Sequence, residues 1–570
     1  MNLSLRKELI ARLSKALTEL GLPENSAEIS PTTAAHFGDY QSNTAMVLAK
    51  SLREDPKTVA AQILSQIDVS DLSLQPQIAG AGFLNFRILN SHLVQHLVRL
   101  SCDPRLGVPY TSSPKRIVID FSSPNVAKPM HVGHIRTTVL GDALARIAQF
   151  LGHKVITDNH VGDWGTQFGK VIYGWKHFLD SDHLTRKPIA ELVRLYREVS
   201  RLEKENPSVS DKIRKELVLL QQGNPENLSI WSKIVELSWK EFEDIYKTLS
   251  IHFDYRLGES FYNRALSPLV ERLLAAGIAQ LSQGAVCVFF PETPKLTDKP
   301  CIVRKSDGGF LYATTDLATL EYRVKAWNPD AIWYVAGAPQ SLHFQQVFEI
   351  ARRLGIQAEL THVAFGSILG RDRKMMKTRT GDNVPLANLL QEAITRAAQV
   401  IGQKNPSLSI EEKMEVACII GIGAVKYAEL SQNRLTDYVF SWEKMLSFQG
   451  NTAPYLQNAY VRIRSIFRKL QGALPERPAF YLHVPEERLL ALRLLQFGET
   501  VPRVLEDFRP NILANYLFEL ANAFHSFYEA CPVLNVEEKL HQSRLILCRL
   551  SEQILGKGLS LLGINSPKKM

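Results

Sequence analysis

Residues 116–157 read RIVIDFSSPNVAKPMHVGHIRTTVLGDALARIAQFLGHKVIT, and this stretch decides the fold class. Residues 116–121 form a β-rich run that stops at Ser122-Ser123-Pro124-Asn125, a buried strand feeding a loop. Beyond the loop, Ile135, Val139, Ala143, Leu144, Ile147, Ala148 and Leu151 recur at three- and four-residue spacing, and Gly152 stands where a helix stops. Residues 154–157 make a second strand. Strand, loop, helix, strand is the βαβ unit of a doubly wound parallel sheet, whose ligands sit at the carboxyl ends of the strands.

Working outward, further strands are expected at 286–290, 332–335 and 363–365. Between about 175 and 250 the chain is charged and helical, with Leu192, Leu195, Tyr196 and Val199 in register, which reads as an insertion in the sheet domain. Upstream, an amphipathic helix carrying Leu3, Leu5, Ile10, Leu13 and Leu17 alternates with short apolar runs. Downstream of 386 the pattern is almost wholly helical; Leu513, Tyr516, Leu517, Leu520, Ala521, Phe524 and Phe527 form one apolar stripe behind Pro510 and Asn511. The expected architecture is α/β: a Rossmann-like parallel-sheet domain at 113–385, an α+β domain at 1–112, a helical region at 386–450 and an all-α bundle at 451–570.

Composition bounds the function. At 570 residues, 45% hydrophobic and 22% charged, the chain carries several buried cores and is neither disordered nor a small disulfide scaffold. Its six cysteines show no CxxC pair and no zinc-ligand spacing, which points to a reducing, cytoplasmic setting. Charges interrupt the first twenty residues, unlike a signal peptide, and no stretch is apolar enough to span a membrane. The net charge of +9 permits a polyanionic partner. With no polybasic tail, a nucleic acid would meet folded surfaces.

The sharpest chemical feature is His131-Val132-Gly133-His134, between a strand's end and a helix's first turn. Free N–H groups and the helix dipole there favour an anion. Two imidazoles at i and i+3 add donors on one side, and Gly133 between them lets a phosphate-bearing ligand approach the backbone, as ATP would. A zinc-binding HxxH pair, or histidines that merely cap the helix, are the alternatives from these residues alone.

The flanking sequence IDFSSPNVAKPMHVGHIR, then His160-Val161-Gly162-Asp163-Trp164-Gly165-Thr166-Gln167, resembles the arginyl-tRNA synthetases, class I enzymes whose first signature is a HIGH-like tetrapeptide. The resemblance runs in order through 37–41, 311–316, 340–345, 377–381 and 449–457. It implies an arginine–tRNA ligase. Arginine's carboxylate attacks the ATP α-phosphorus to give arginyl-adenylate and pyrophosphate; the 2′-OH of the terminal tRNA adenosine then takes the arginyl group. The partners implied are L-arginine, ATP as its Mg2+ complex and tRNA(Arg), with tRNA needed for activation. No membrane, no obligate protein partner and no tightly bound protein metal are expected, and the chain is expected to be a monomer.

The resemblance also assigns residues. His131 and His134 are catalytic, and with Gly133 they bind ATP. The second class I signature corresponds to Lys374-Met375-Met376-Lys377-Thr378-Arg379, a divergent form in which Lys128, just before the HIGH-like motif, is a substitute cation beside Lys374, Lys377 and Arg379. A solvated basic loop is the alternative there. Glu259 and Asp316 are expected to meet the arginine guanidinium, with Tyr312 and Gln340 completing that end and His160 beside it; Asn125 and Ser123 hold the α-amino and carboxylate end. Trp164 equally suits a packing anchor. For tRNA, residues 1–112 resemble the domain that reads the tRNA elbow, with Tyr40, Gln41, Asn43 and Phe83 as stacking and amide groups. Residues 451–570 resemble the anticodon-binding domain, with Tyr455, Tyr460 and Arg462, and 386–450 the stem-contact region. The rival readings are a HIGH-type enzyme for another substrate and a tRNA-binding protein without catalysis. Two acidic pocket residues disfavour an anionic substrate.

Overall fold

The computed structural model describes residues 3–32, 34–370, 372–374, 376, 384–470 and 478–570. The chain forms two compact units, Met1–Tyr110 with Ser447–Leu561 and Asn565–Met570, and Thr111–Leu446 with Leu562–Ile564.

In the second unit, Arg116–Asp120 lies in a parallel sheet between Ala331–Tyr334 and Lys154–Asp158, with Glu359–His362 on the far side of Ala331–Tyr334. Arg116–Asp120 is central and apolar, and Ile117, Val118 and Ile119 are fully buried. The helix Val132–Phe150 buries every residue of the predicted stripe and ends at Leu151, where Gly152 takes a left-handed φ of 96°. Its Gly141 sits against the Phe121 ring so closely that a Cβ would come within 2.2 Å of it.

The strand expected at 286–290 is present as Ala285–Val288, and the one expected at 363–365 is corrected. Ala285–Val288 does not join the parallel sheet; it pairs antiparallel with Gln280–Ser282 and Cys301–Arg304 in a separate three-stranded sheet. The strand placed at 363–365 lies earlier, at Glu359–His362. Val363 still donates to the carbonyl of Tyr334 and Phe365 bridges Gly337 in the same register, after which Gly366 N–H turns to Arg434 O at 2.8 Å.

The insertion is helical, with Pro188–Glu205, Ser208–Gln221 and Pro225–Thr248 among its elements. Leu192, Leu195 and Val199 are buried and Tyr196 is half-buried. After it come Leu386–Lys404 and Ile410–Leu430, then a short strand Tyr438–Val439 that pairs with Ile368–Leu369.

In the first unit, the helices Thr44–Leu52 and Pro56–Gln66 pack against an antiparallel sheet ordered Ser30–Pro31, Tyr40–Ser42, Phe83–Phe86, Gln77–Ala79. The same unit holds Ala453–Lys469, Pro485–Leu495, Phe497–Glu506, Asn511–Ala530 and Glu538–Leu561. All seven residues of the Asn511–Ala530 stripe are buried. Arg488 grips Asp39 with two bonds of 2.6 and 2.8 Å, a bidentate pair tying the N-terminal sheet to this bundle.

Candidate active site and nucleic-acid surfaces

The loop between Arg116–Asp120 and Val132–Phe150 is tightly wound. Ser122, Ser123 and Ala127 all have positive φ (76°, 46° and 63°), a conformation costing roughly 1–3 kcal/mol each for non-glycine residues. The surroundings hold it there. Ser122 Oγ accepts from Thr138 and shares a 2.8 Å bond with the Tyr246 hydroxyl. Ser123 N–H donates to Asn159 Oδ1 and its hydroxyl to Asp120, while Ala127 N–H donates to Ser238. Tyr246 and Ser238 lie on the last helix of the insertion, Pro225–Thr248, so the insertion braces this loop. Beneath it Arg323, fully buried, bonds Asp120 at 2.7 Å and Asp158 at 2.8 Å, neutralising two carboxylates at neighbouring strand ends.

His131 caps the helix. Its Nδ1 accepts from Gly133 N–H at 3.1 Å, and His134 Nδ1 accepts from His131 N–H at 3.0 Å. Both rings are thereby fixed as Nε2–H tautomers, with that edge left to donate. The rings lie against each other, tilted by 42° with centroids 3.9 Å apart. Burial pushes His134 down to about 3 and, with the charge of Lys128, also lowers His131, so both stay neutral donors at physiological pH. At Gly133 a Cβ would stand 2.9 Å from the His131 ring. Lys128 is exposed, its ammonium 5.6 Å from the Tyr196 ring centroid.

A second cluster assembles around Glu259. The segment leading to it runs beside the second strand, with Asp158 bridged to Tyr255 and Glu259 N–H donating to Val161 O at 3.1 Å. Gly258 passes so close to Asp163 that a Cβ would meet that carboxylate at 2.4 Å. Asp163 accepts from the Ser260 N–H and hydroxyl, and its carbonyl accepts from Trp231. Asp316 bonds His343 and stands 3.9 Å from His160 Nε2. His160 Nδ1–H donates to Leu257 O, which turns Nε2 toward the acid. Burial first, then the charges of Asp316 and Asp163, push Glu259 up to about 8. Buried and crowded by these acids, Glu259 holds a proton at neutral pH, which a cation placed beside it would displace.

The structure thus gathers His131, Gly133 and His134 at one strand end, and His160, Glu259 and Asp316 round another. Tyr312 is 69% exposed, one turn before Asp316 on the helix Tyr312–Trp327. Gln340 is exposed at the end of the turn Ala338–Gln340, three residues before His343. Asn125 is exposed and bridges the backbone of Gly162. Ser123's hydroxyl is engaged by Asp120, which leaves it less free for a ligand than expected. Trp164 packs edge-on against Trp231 at 5.8 Å. Lys374 is exposed in a turn where Gly370 N–H donates to Lys374 O. Lys377 and Arg379 lie outside the described residues.

Sequence reasoning missed His343 and Arg323. His343 stood inside a quoted motif. Arg323 carried a subtler signal, a charge three residues after Leu320 and four before Trp327 on a buried helix face.

Tyr40 requires a correction. Its side chain is fully buried and its hydroxyl bonds both oxygens of Glu499, so no face is available for a base. Gln41, Asn43 and Phe83 are half-buried. In the bundle, Tyr455 donates to Asn522 at 2.6 Å and lies against His525 and Phe518. Arg462 meets His525 at 3.3 Å and covers the Tyr528 ring, making a strip of aromatic, amide and guanidinium groups. Tyr460 accepts from Arg464. Among the described residues, one trio has metal-ligand spacing, Glu8, His92 and His96. There Glu8 bonds His92 at 2.8 Å and Arg99 adds a positive charge close by, an arrangement that ties two helices together.

Residues 98–442 match the family model described as tRNA synthetases class I (R), catalytic domain. The chain belongs to the arginyl-tRNA synthetase family. Residues 5–88 match the arginyl tRNA synthetase N terminal domain and 456–570 the DALR anticodon binding domain. The chain is 44% identical to an arginine–tRNA ligase of Cellvibrio japonicus over the whole of both chains. It is 47% identical to one of Cyanothece sp. over 94% of each. Among solved structures it resembles the arginyl-tRNA synthetases of Plasmodium falciparum (TM-score 0.84, 28% identity, 99% of each chain) and Thermus thermophilus (0.83, 25%, all of each). The synthetase is a class I aminoacyl-tRNA ligase with ATP as a substrate. Among its described residues no helix is long and apolar enough to cross a membrane.

Proposed function

We propose that the carboxylates of Glu259 and Asp316, with Asp163 behind them, select L-arginine through its guanidinium. The observation that carries this is the cluster itself: carboxylates crowded at one strand end, with Glu259 pushed up to about 8. A planar cation with five donors relieves that repulsion, whereas a neutral analogue leaves buried charge unpaired. Tyr312 and Gln340 flank this end, His343 orients Asp316 with His160 beside it, and Asn125 with Ser123 holds the α-amino and carboxylate groups.

ATP enters as its Mg2+ complex. Its phosphates lie against Gly133 and the Nε2–H edges of His131 and His134, with Lys128, Lys374, Lys377 and Arg379 supplying positive charge to the leaving pyrophosphate. One carboxylate oxygen of arginine attacks the α-phosphorus, the bond to the β-phosphate oxygen breaks, and arginyl-adenylate forms. The terminal 2′-OH of tRNA(Arg) then attacks the carbonyl carbon and AMP leaves. Alignment and charge stabilisation carry these steps. Residues 1–112 read the tRNA elbow through Gln41, Asn43 and Phe83, 386–450 meet the stem, and 451–570 bind the anticodon through Tyr455, Tyr460 and Arg462. Activation waits for tRNA.

The test is arginine-dependent exchange of labelled pyrophosphate into ATP, with and without tRNA, in the parent and in His134→Ala. Exchange that needs tRNA and falls at least 10²-fold in the variant is expected. Exchange without tRNA removes the coupling, and an unchanged variant removes the site.

A further inference from the structure

Two residues beyond His134, Arg136 is 2% exposed, its guanidinium enclosed by the protein. Its Nη1 donates to the carbonyls of Gly366 at 2.7 Å and Thr436 at 3.1 Å. Its Nε lies 3.5 Å from Glu429 Oε2, and the Tyr438 ring lies 5.4 Å away. The Tyr438 hydroxyl donates to the other oxygen of Glu429. Among the described residues, Arg136 Nε and Nη2 and Glu429 Oε2 find no hydrogen-bond partner, an unusual concentration of unsatisfied buried charge. A buried ion pair this incomplete contributes little stability, so its place in the fold calls for another reason.

That place is where the lysine-bearing stretch leaves the catalytic core. Residues 364–369 are cradled by 434–440: Ser367 N–H donates to Asp437, Tyr438 N–H to Ser367 O and Phe440 N–H to Leu369 O. Arg136 bonds both sides of this cradle at once. Immediately after it comes the turn closed by Gly370 N–H on Lys374 O. The chain comes back onto the same helix's start, with Val132 N–H on Val384 O and Leu386 N–H on Met130 O. Both flanks of the stretch are therefore fastened to the helix that presents His131 and His134.

We propose that Arg136, Glu429 and Tyr438 are positioning residues for the adenylation step. They set the Gly370–Lys374 turn at a fixed distance from the two histidines, so that cations and imidazoles meet one triphosphate. The role rests on the reading of the histidines and Lys374 as ATP ligands. Burial, opposed by Arg136, pushes Glu429 up to about 7, so its carboxylate depends on that guanidinium for its charge. The guanidinium is oriented by the Gly366 and Thr436 carbonyls, with Glu429 as the carboxylate beside its Nε.

The test compares Glu429→Gln, Glu429→Asp and Tyr438→Phe with the parent, using steady-state pyrophosphate exchange under saturating tRNA and thermal unfolding of each protein. His134→Ala serves as reference for the site. Glu429→Gln is expected to lower kcat at least tenfold and raise KM for ATP, with KM for arginine within twofold of the parent. Tyr438→Phe should do the same more weakly, and Glu429→Asp should restore part of the loss. Should Glu429→Gln unfold, Tyr438→Phe carries the comparison. Folded variants with kcat and KM for ATP within twofold of the parent would overturn the proposal. So would a parallel rise in KM for arginine, the mark of a merely structural role. If those variants are normal while His134→Ala is inactive, the positioning role fails and the ATP site stands. An active His134→Ala overturns the site reading and the positioning role with it.

Discussion

At the residue scale, the role proposed for Glu259 in substrate choice is coupled to stability. Its carboxyl is raised to about 8, so between the ordinary carboxylate range and that value the folded state holds a proton that the unfolded chain has lost. Stability conferred by that protonated form is therefore lost as pH rises through the window. Glu259→Gln removes the titration and should raise the thermal midpoint at pH 8 while leaving it unchanged near pH 4.5, the pattern of a site whose function opposes stability. The same variant should raise KM for arginine on the order of 10²-fold and leave KM for ATP alone. In the parent, arginine should bind more tightly as pH rises from 6 to 8 and release a proton on binding. Calorimetry in two buffers of different ionisation enthalpy checks both. His134 behaves oppositely: held neutral by burial, it should add no limb to the pH profile above pH 5.

Among elements, the decisive contact is that of the helix Val132–Phe150 with the strand and loop before it. Gly141 lets the helix lie flush on Phe121, and a Cβ there would come within 2.2 Å of the ring. Gly141→Ala gains intrinsic helix propensity of up to about 1 kcal/mol, yet overpacking costs about 1–3 kcal/mol, so a net loss is expected. Because the ring cannot move without displacing the Ser122–Ala127 loop, exchange activity should fall further than the stability change accounts for. Urea unfolding and exchange measured on the same preparation separate the two. The insertion belongs to this scale too. Its helix Pro225–Thr248 supplies Tyr246 and Ser238 to the strained loop, so it acts as a buttress for the site.

For the molecule as a whole, the first unit draws together residues that lie more than 400 apart in sequence. Asp39 meets Arg488, and Tyr40 meets Glu499. Tyr40→Phe deletes only the hydroxyl and should cost about 1–3 kcal/mol by stranding a buried acceptor. If Tyr40 packs and does not stack, the KM for tRNA should be unchanged; a rise in that KM at constant stability would return it to the nucleic-acid surface. What the sequence by itself determined was the βαβ unit and its HVGH turn, because period and end-signals are local, along with the helical stripes. Motifs also singled out Glu259, Asp316 and His160 as candidates, though without their mutual geometry. Only the tertiary structure decided that Tyr40 is core, that 285–288 belongs to a second sheet, and that Arg323, His343 and Arg136 are anchored at the site's edges. Each of those depends on partners remote in sequence, and a side chain's burial and ionisation are set by what packs against it.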